Sequence, residues 1–260
     1  MERAIQILER GAELARAIEG RPNLYSIVRP LAAVREAQED YHAALALYEE
    51  ILTLSPDDPE FLHRRAYVLS ELKDYARAAA NYQHALELKP DDAWAHNGLG
   101  SLREKEGDLE GAVEAYSRAI AARPDEAAFV RNRASTLIAL NRLDEARADC
   151  EAASRLAPDD AYTRGRWGDL HLALGEWAEA QARYRAALEA DDSPGWRLGL
   201  APALWGLGRM DDAWAEFDAA LAKADAEMRN EAIRDYRRLL ERHPHLPGLA
   251  QAIERLTKAA

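Results

Sequence analysis

Four near-copies of one phrase recur along the chain: LSPDD at 54–58, LKPDD at 88–92, ARPDE at 122–126 and LAPDD at 156–160. Their prolines, Pro56, Pro90, Pro124 and Pro158, stand 34 residues apart, and Pro22 extends the series backwards. A fixed period of this size means supersecondary units stacked one after another. Proline cannot continue a helix, and an Asp just beyond it accepts from the free N–H groups that open the next one. Asp57-Asp58 and Asp91-Asp92 are therefore read as helix starts rather than as paired catalytic carboxylates.

The prolines frame repeats at 25–58, 59–92, 93–126, 127–160 and 161–193, with a sixth at 194–227 after a one-residue contraction. Each repeat reads as two amphipathic helices. In 59–92, Leu62, Ala66 and Leu69 share one helical face, and Tyr75, Ala78, Tyr82, Ala85 and Leu86 share another. Between the helices stands a polar break, with Gly107, Gly175, Gly208 or Asn141 in four repeats. These residue types tolerate the left-handed backbone that ends a helix. No segment alternates with a strand period.

This pattern resembles the tetratricopeptide repeat family. The third unit carries Leu99-Gly100, Ala112, Tyr116, Ala119 and Pro124, and the fifth Trp167-Gly168, Ala180, Tyr184 and Ala187. The resemblance covers about residues 25–227. It implies an all-α, right-handed α-solenoid of tandem helix–turn–helix repeats with capping helices at both ends. Residues 1–24 are expected as an N-terminal half-repeat helix, with Leu14 and Ala17 on its packing positions, and 228–260 as C-terminal capping helices. Pro30 and Pro202 fall inside first helices. The expectation is a late helix start at Arg29-Pro30 and a kink or break near Gly199–Pro202.

The chain has 260 residues, 34 Lys+Arg against 46 Asp+Glu and a net charge of −12. That excess repels a phosphate backbone and an anionic bilayer, so neither nucleic acid nor a membrane is an expected partner. Residues 36–127 hold 20 acidic and 9 basic side chains, whereas 128–210 hold 12 and 11. The acidic stretch is read as a solvated face, with a second interface for a basic partner as the alternative. No signal peptide or membrane span is legible, and a cytoplasmic location is expected. The single Cys150 stands where the family places a packing aromatic, and it is read as core. No HExxH, GxxxxGK[ST] or GxGxxG motif occurs, so no catalytic residue, metal site or cofactor is expected.

Binding is the expected role. The resemblance implies that the first helices line a concave surface that takes extended peptides. Its facing positions give Arg29 and Glu36, then Glu60, His63, Arg64, Tyr67 and Glu71. Next come Trp94, Asn97, Ser101 and Glu104, then Arg131, Asn132 and Ser135, then Tyr162, Arg166 and Asp169, and lastly Trp205. Aromatics and arginine are enriched at interface hot spots, arginine pairs with a carboxylate, and asparagine pairs with a peptide backbone. The expected partner is thus a protein or peptide, with an acidic segment or a free C-terminal carboxylate as the fitting complement. One subclass of the family binds chaperone C-termini through Lys and Asn in one unit, Asn in the next, and Lys and Arg in a third. Units three to five offer Asn97, Ser101, Asn132, Tyr162 and Arg166, with no lysine, so chaperone binding is not expected.

Two other readings stay open. Edges at Leu24–Val28 and 246–258 that look poorly capped favour self-assembly. Trp196, Trp205, Trp214 and His243 favour an enzyme or regulatory subunit with a C-terminal site. The repeat pattern itself is testable: Ala112→Leu or Ala180→Leu overpacks a helix crossing. The expected loss of about 1–3 kcal/mol is read from a urea unfolding curve.

Overall fold

The computed structural model describes residues 2–17 and 24–259. Among them are fifteen α-helices and no strand. The helices group into two units, the first ending at Arg123 and the second beginning at Pro124.

In the first unit α1 (Glu2–Ala17) precedes three helix pairs: α2 (Leu24–Ala37) with α3 (Tyr41–Leu54), α4 (Pro59–Glu71) with α5 (Tyr75–Leu88), and α6 (Ala93–Glu106) with α7 (Leu109–Ala122). The second unit runs α8 (Ala127–Ala139), α9 (Leu143–Leu156), α10 (Ala161–Leu174), α11 (Trp177–Ala190), α12 (Pro194–Gly206) and α13 (Met210–Leu221). It ends with α14 (Ala226–Arg242) and α15 (Leu249–Ala259). The chain is an α-solenoid of helix–turn–helix repeats.

The same local chemistry recurs at several joints. Asp58, Asp92, Asp160 and Asp225 cap helix starts by accepting backbone N–H groups. Such caps are worth about 1 kcal/mol each. Inside the pairs the chain turns through a residue of positive φ: Glu39, Lys73, Gly107, Asn141, Gly175 and Gly208.

In the pairs α2/α3, α4/α5, α6/α7 and α10/α11 a tyrosine ring and a small residue of the second helix are buried at the crossing. Tyr48, Tyr116 and Tyr184 are 1% exposed and Tyr82 3%, while Ala44, Ala78, Ala112 and Ala180 are fully buried. Burial of such a side chain contributes about 2–3 kcal/mol. Room for the rings depends on missing side chains. A Cβ on Gly98 would stand 2.1 Å from the Tyr82 ring, and one on Gly199 2.4 Å from that of Tyr184. Buried polar groups in the second helices are satisfied across the pair: Arg65 donates to Asn81 Oδ1 at 2.8 Å, and Arg133 to Asp149 Oδ2 at 2.8 Å.

Four expectations change. Residues 18–23 of the expected half-repeat, Pro22 among them, lie outside the described residues. Within α1, Leu14 is 54% exposed and the packing face is Ile5, Ala12 and Ala15. The ion pairs Arg16–Glu50 and Arg35–Glu9 join α1 to α3 and to α2. Leu24, Val28, Leu249 and Leu256 are buried, so these chain edges are covered by the terminal helices.

Pro30 does not open its helix. It sits inside α2, because burial of Leu24 and Val28 holds the turn ahead of it. Pro202 likewise interrupts nothing: α12 runs from Pro194 to Gly206. The amide that Pro202 lacks would have bonded the carbonyl four residues back, at Leu198. The Tyr236 hydroxyl of α14 donates to that carbonyl instead, at 2.6 Å. An orphaned buried carbonyl costs about 1–3 kcal/mol, and the phenol removes that cost while docking the C-terminal helix.

Tyr236→Phe is therefore expected to lower unfolding stability by about 1–3 kcal/mol. In a Pro202→Ala background, where an N–H is restored, the same change should cost clearly less. Additive effects in this double-mutant cycle would break the link between the two residues.

Candidate functional site

Tyr67, Trp94 and Tyr162 are the large aromatics that first helices leave open, at 41%, 39% and 53% exposure. Trp205, expected beside them, is not: it is 1% exposed and packs against Trp214 at 4.9 Å and Tyr236 at 6.2 Å.

In the first unit the charged candidates are drawn into internal ties. His63 Nδ1 lies 3.0 Å from Asp92 Oδ2, and Asp92 caps α6 through Trp94 N and Ala95 N. Burial opposes charge on Asp92, yet the His63 bond and the backbone donors outweigh it and hold the carboxyl below its usual range. Arg29 pairs with Glu60 at 3.0 Å. Arg64 reaches Glu60 at 3.5 Å and Glu36 at 3.7 Å. Glu36 in turn accepts the Tyr48 hydroxyl at 2.5 Å, and Glu104 that of Tyr116 at 2.7 Å. Asn97 and Ser101 are half-buried on α6. Trp94 carries the Arg123 guanidinium 5.7 Å from its ring centre. Tyr67 meets Tyr41 edge to face at 6.4 Å. Tyr41 was missed in the sequence because face positions were sought only on first helices.

The second unit repeats the arrangement. Arg131 pairs with the capping Asp160 at 2.7 Å and lies 5.0 Å from the Tyr162 ring centre. Asp160 accepts from Thr163 N and Oγ1, both at 2.8 Å. Burial opposes its charge, but these bonds and Arg131 keep its carboxyl low. Tyr162 stands edge-on to Trp196 at 5.3 Å. Arg166 donates to Ser135 Oγ at 2.9 Å and pairs with Asp169 at 2.9 Å, while Asp169 accepts the Tyr184 hydroxyl at 2.5 Å. Asn132 and Ser135 are half-buried. The two arginines expected to receive a partner's carboxylate are thus already engaged by carboxylates of this chain.

The C-terminal aromatics serve packing. His243 stacks edge-on against Trp177 at 4.8 Å, and its Nε2 lies 3.3 Å from the Ala173 carbonyl. Among the described residues no group of three or more His, Cys, Asp or Glu is placed to hold a metal ion. No described helix is long and apolar enough to cross a membrane.

Cys150 is 1% exposed, and burial first, then the nearby Asp169, push its thiol up to about 12. The thiolate is the reactive form. Native protein at pH 8 is expected to resist a thiol-labelling disulfide reagent, with one equivalent reacting only after guanidinium unfolding. Rapid labelling of the folded chain would contradict the burial of Cys150.

Profiles described as tetratricopeptide repeat match residues 27–68, 97–161 and 166–229, and one described as TPR repeat matches 66–106. A 73-residue stretch is 41% identical to the Hsp70-Hsp90 organizing protein of Triticum aestivum, covering 28% of this chain and 13% of that protein. A 67-residue stretch is 42% identical to DnaJ homolog subfamily C member 7 of Homo sapiens, covering 25% of this chain. The chain thus spans 13% of the length of either relative. A thermophilic TPR protein of Thermus thermophilus superposes with a TM-score of 0.60 at 26% identity, over 68% of this chain and 98% of that one.

Proposed function

The chain belongs to the tetratricopeptide repeat family, and from that premise we propose that it is a non-enzymatic adaptor. In this reading it holds a peptide or a partner's segment on its first-helix faces. The observation that carries this is the exposure of Tyr67, Trp94 and Tyr162 on α4, α6 and α10, while Tyr48, Tyr82, Tyr116, Tyr184 and Phe217 of the second helices are buried. A large aromatic left half in water gives up burial of about 2 kcal/mol that a partner can restore. Asn97, Ser101, Asn132 and Ser135 supply half-buried polar groups for a peptide backbone. Partners are proteins rather than nucleic acid or lipid, as the net charge of −12 favours. A cytoplasmic setting fits the single thiol.

An acidic segment or a free carboxylate end remains a proposed partner for the second unit only by exchange. It would have to replace Asp160 on Arg131 or Asp169 on Arg166. Such exchange retains charge pairing and swaps one acid for another, so it confers little net affinity.

Self-assembly is a second reading with one observation behind it. Ile7 and Leu14 share a face of α1 and are 65% and 54% exposed.

The adaptor reading is tested by replacing Tyr67, Trp94 and Tyr162 together with alanine. Helicity is checked by circular dichroism, and recovered partners are compared by quantitative mass spectrometry. Loss of the specific partners with helicity intact is the expected result. Unchanged recovery of every partner would remove the first-helix face from the function.

A further inference from the structure

The helix that follows the last repeat does more than cover it. At the other end of the chain α1 is tied to the adjacent pair, to α2 by Arg35–Glu9 and to α3 by Arg16–Glu50. In the second unit α14 instead reaches three successive first helices. Its Tyr236 hydroxyl donates to the Leu198 carbonyl of α12 at 2.6 Å. His243, the residue after its end, sets Nε2 3.3 Å from the Ala173 carbonyl of α10. Arg242 Nη2 donates to the Ile138 carbonyl of α8 at 2.5 Å. Ile138 and Ala173 lie in the last turns of their helices. A helix leaves carbonyls there short of amide partners, and a cation such as Arg242 suits that end. The Leu198 carbonyl lacks the amide that Pro202 cannot supply. Three first helices thus present an acceptor each, and one crossing helix answers all three.

α14 also acts on an arginine expected to meet a partner's acid. Burial opposes the charge of Arg166, yet Asp169 and, from α14, Asp235 outweigh it. The apolar anchors of α14 are Ala232, Ile233, Tyr236 and Leu239, all buried and on one face. This is the manner in which an amphipathic helix enters a groove. Its seat has polar costs. Burial first, then the neighbouring Arg238, lowers the Arg242 guanidinium, whose bond goes to a neutral carbonyl. Arg229 Nε is buried without an acceptor among the described residues. α15 has its own hold on α13: Arg255 pairs with Asp218 at 2.5 Å and lies 5.3 Å and 5.1 Å from the Trp214 and Phe217 ring centres.

We propose that α14 is a ligand held in cis: it occupies the face on which the second unit receives a helical partner segment, and closes that face until a helix with the same anchors displaces it. The proposal rests on the adaptor reading and adds a regulation to it. A displacing helix restores the burial that α14 gives up, so the exchange loses little apolar contact. The tether gives α14 an effective concentration on the order of millimolar, which keeps weaker competitors out.

The probe is a fluorescein-labelled peptide of residues 225–243, titrated with the full chain by anisotropy. The same peptide carrying Ile233→Asp and Tyr236→Asp is the control. Two variants of the full chain loosen α14. Tyr236→Phe with Arg242→Ala keeps the apolar anchors and removes two carbonyl bonds, and Ile233→Ser with Tyr236→Ala removes anchors. Wild type is expected to bind micromolar peptide negligibly, because its own helix fills the face. Each variant should bind the peptide at least about tenfold more tightly than wild type does, and the control peptide should not bind. Hydrogen exchange should show protection lost in 226–242 and kept in α8, α10 and α12. No peptide binding by either variant, equal binding of the control peptide, or loss of protection in all four helices together in both variants would make α14 a fixed part of the core and overturn the proposal. The adaptor reading is judged separately, by partner recovery in the triple aromatic variant. Partners lost there with no peptide bound by the loosened chains sink only the cis-ligand assignment.

Discussion

The structure depends on one contact made over and over: a tyrosine ring of the second helix driven between small residues of first helices. Its cost lies at the polar tip. A ring that is 1% exposed, as in Tyr48, Tyr116 and Tyr184, buries a hydroxyl that must still find a partner. The acceptors are Glu36, Glu104 and Asp169, all from first helices. Packing therefore dictates part of the charge on the face that a ligand would meet. Acids that read as groove-lining are hydrogen-bond acceptors for the core, and Arg64 and Arg166 are held in turn by Glu36 and Asp169.

The capping acids bind a second group of candidates. Asp92 and Asp160 begin α6 and α10, and each is also approached from the preceding first helix, by His63 and by Arg131. One carboxylate thus closes a helix end and ties two repeats together. Neither repeat buries its apolar face alone, so such ties sit where the solenoid needs them. The consequence for function is subtraction. What packing and capping leave open to a partner are chiefly the half-exposed rings.

Much of the fold was legible because it is periodic. The helix limits, the left-handed turn residues and the Asp caps all follow from a phrase repeated every 34 residues. The misreadings share a cause, in that each turns on a partner outside the local window. Pro202 looks like a break until Tyr236, 38 residues beyond Leu198, supplies the missing bond. Leu14 looks buried until the Ile5, Ala12 and Ala15 face proves the closer fit. For the candidate site, the residue types were legible and their partners within the chain were not. The sequence puts Arg131 among the residues expected to meet a partner, and the geometry shows that Asp160, read as a cap, already holds it.

The repeat also limits which positions can vary. Positions that carry the crossing admit little variation, since an added methylene there strains both helices. The ring that opens a second helix is under no such constraint, because it is half-buried and touches the first-helix face at its edge. At Tyr75 that freedom is used to bind an internal lysine, and at Tyr41 a second ring and an acid occupy the same surroundings. Two copies of one backbone geometry thus differ by a charge reversal, Lys105 against Glu71, and by Ser101 against Tyr67. In the first the cation–ring contact is satisfied within the chain. In the second the Tyr67 ring takes the place beside Tyr41. A solenoid that varies only its non-crossing positions can change what it binds without changing how it folds.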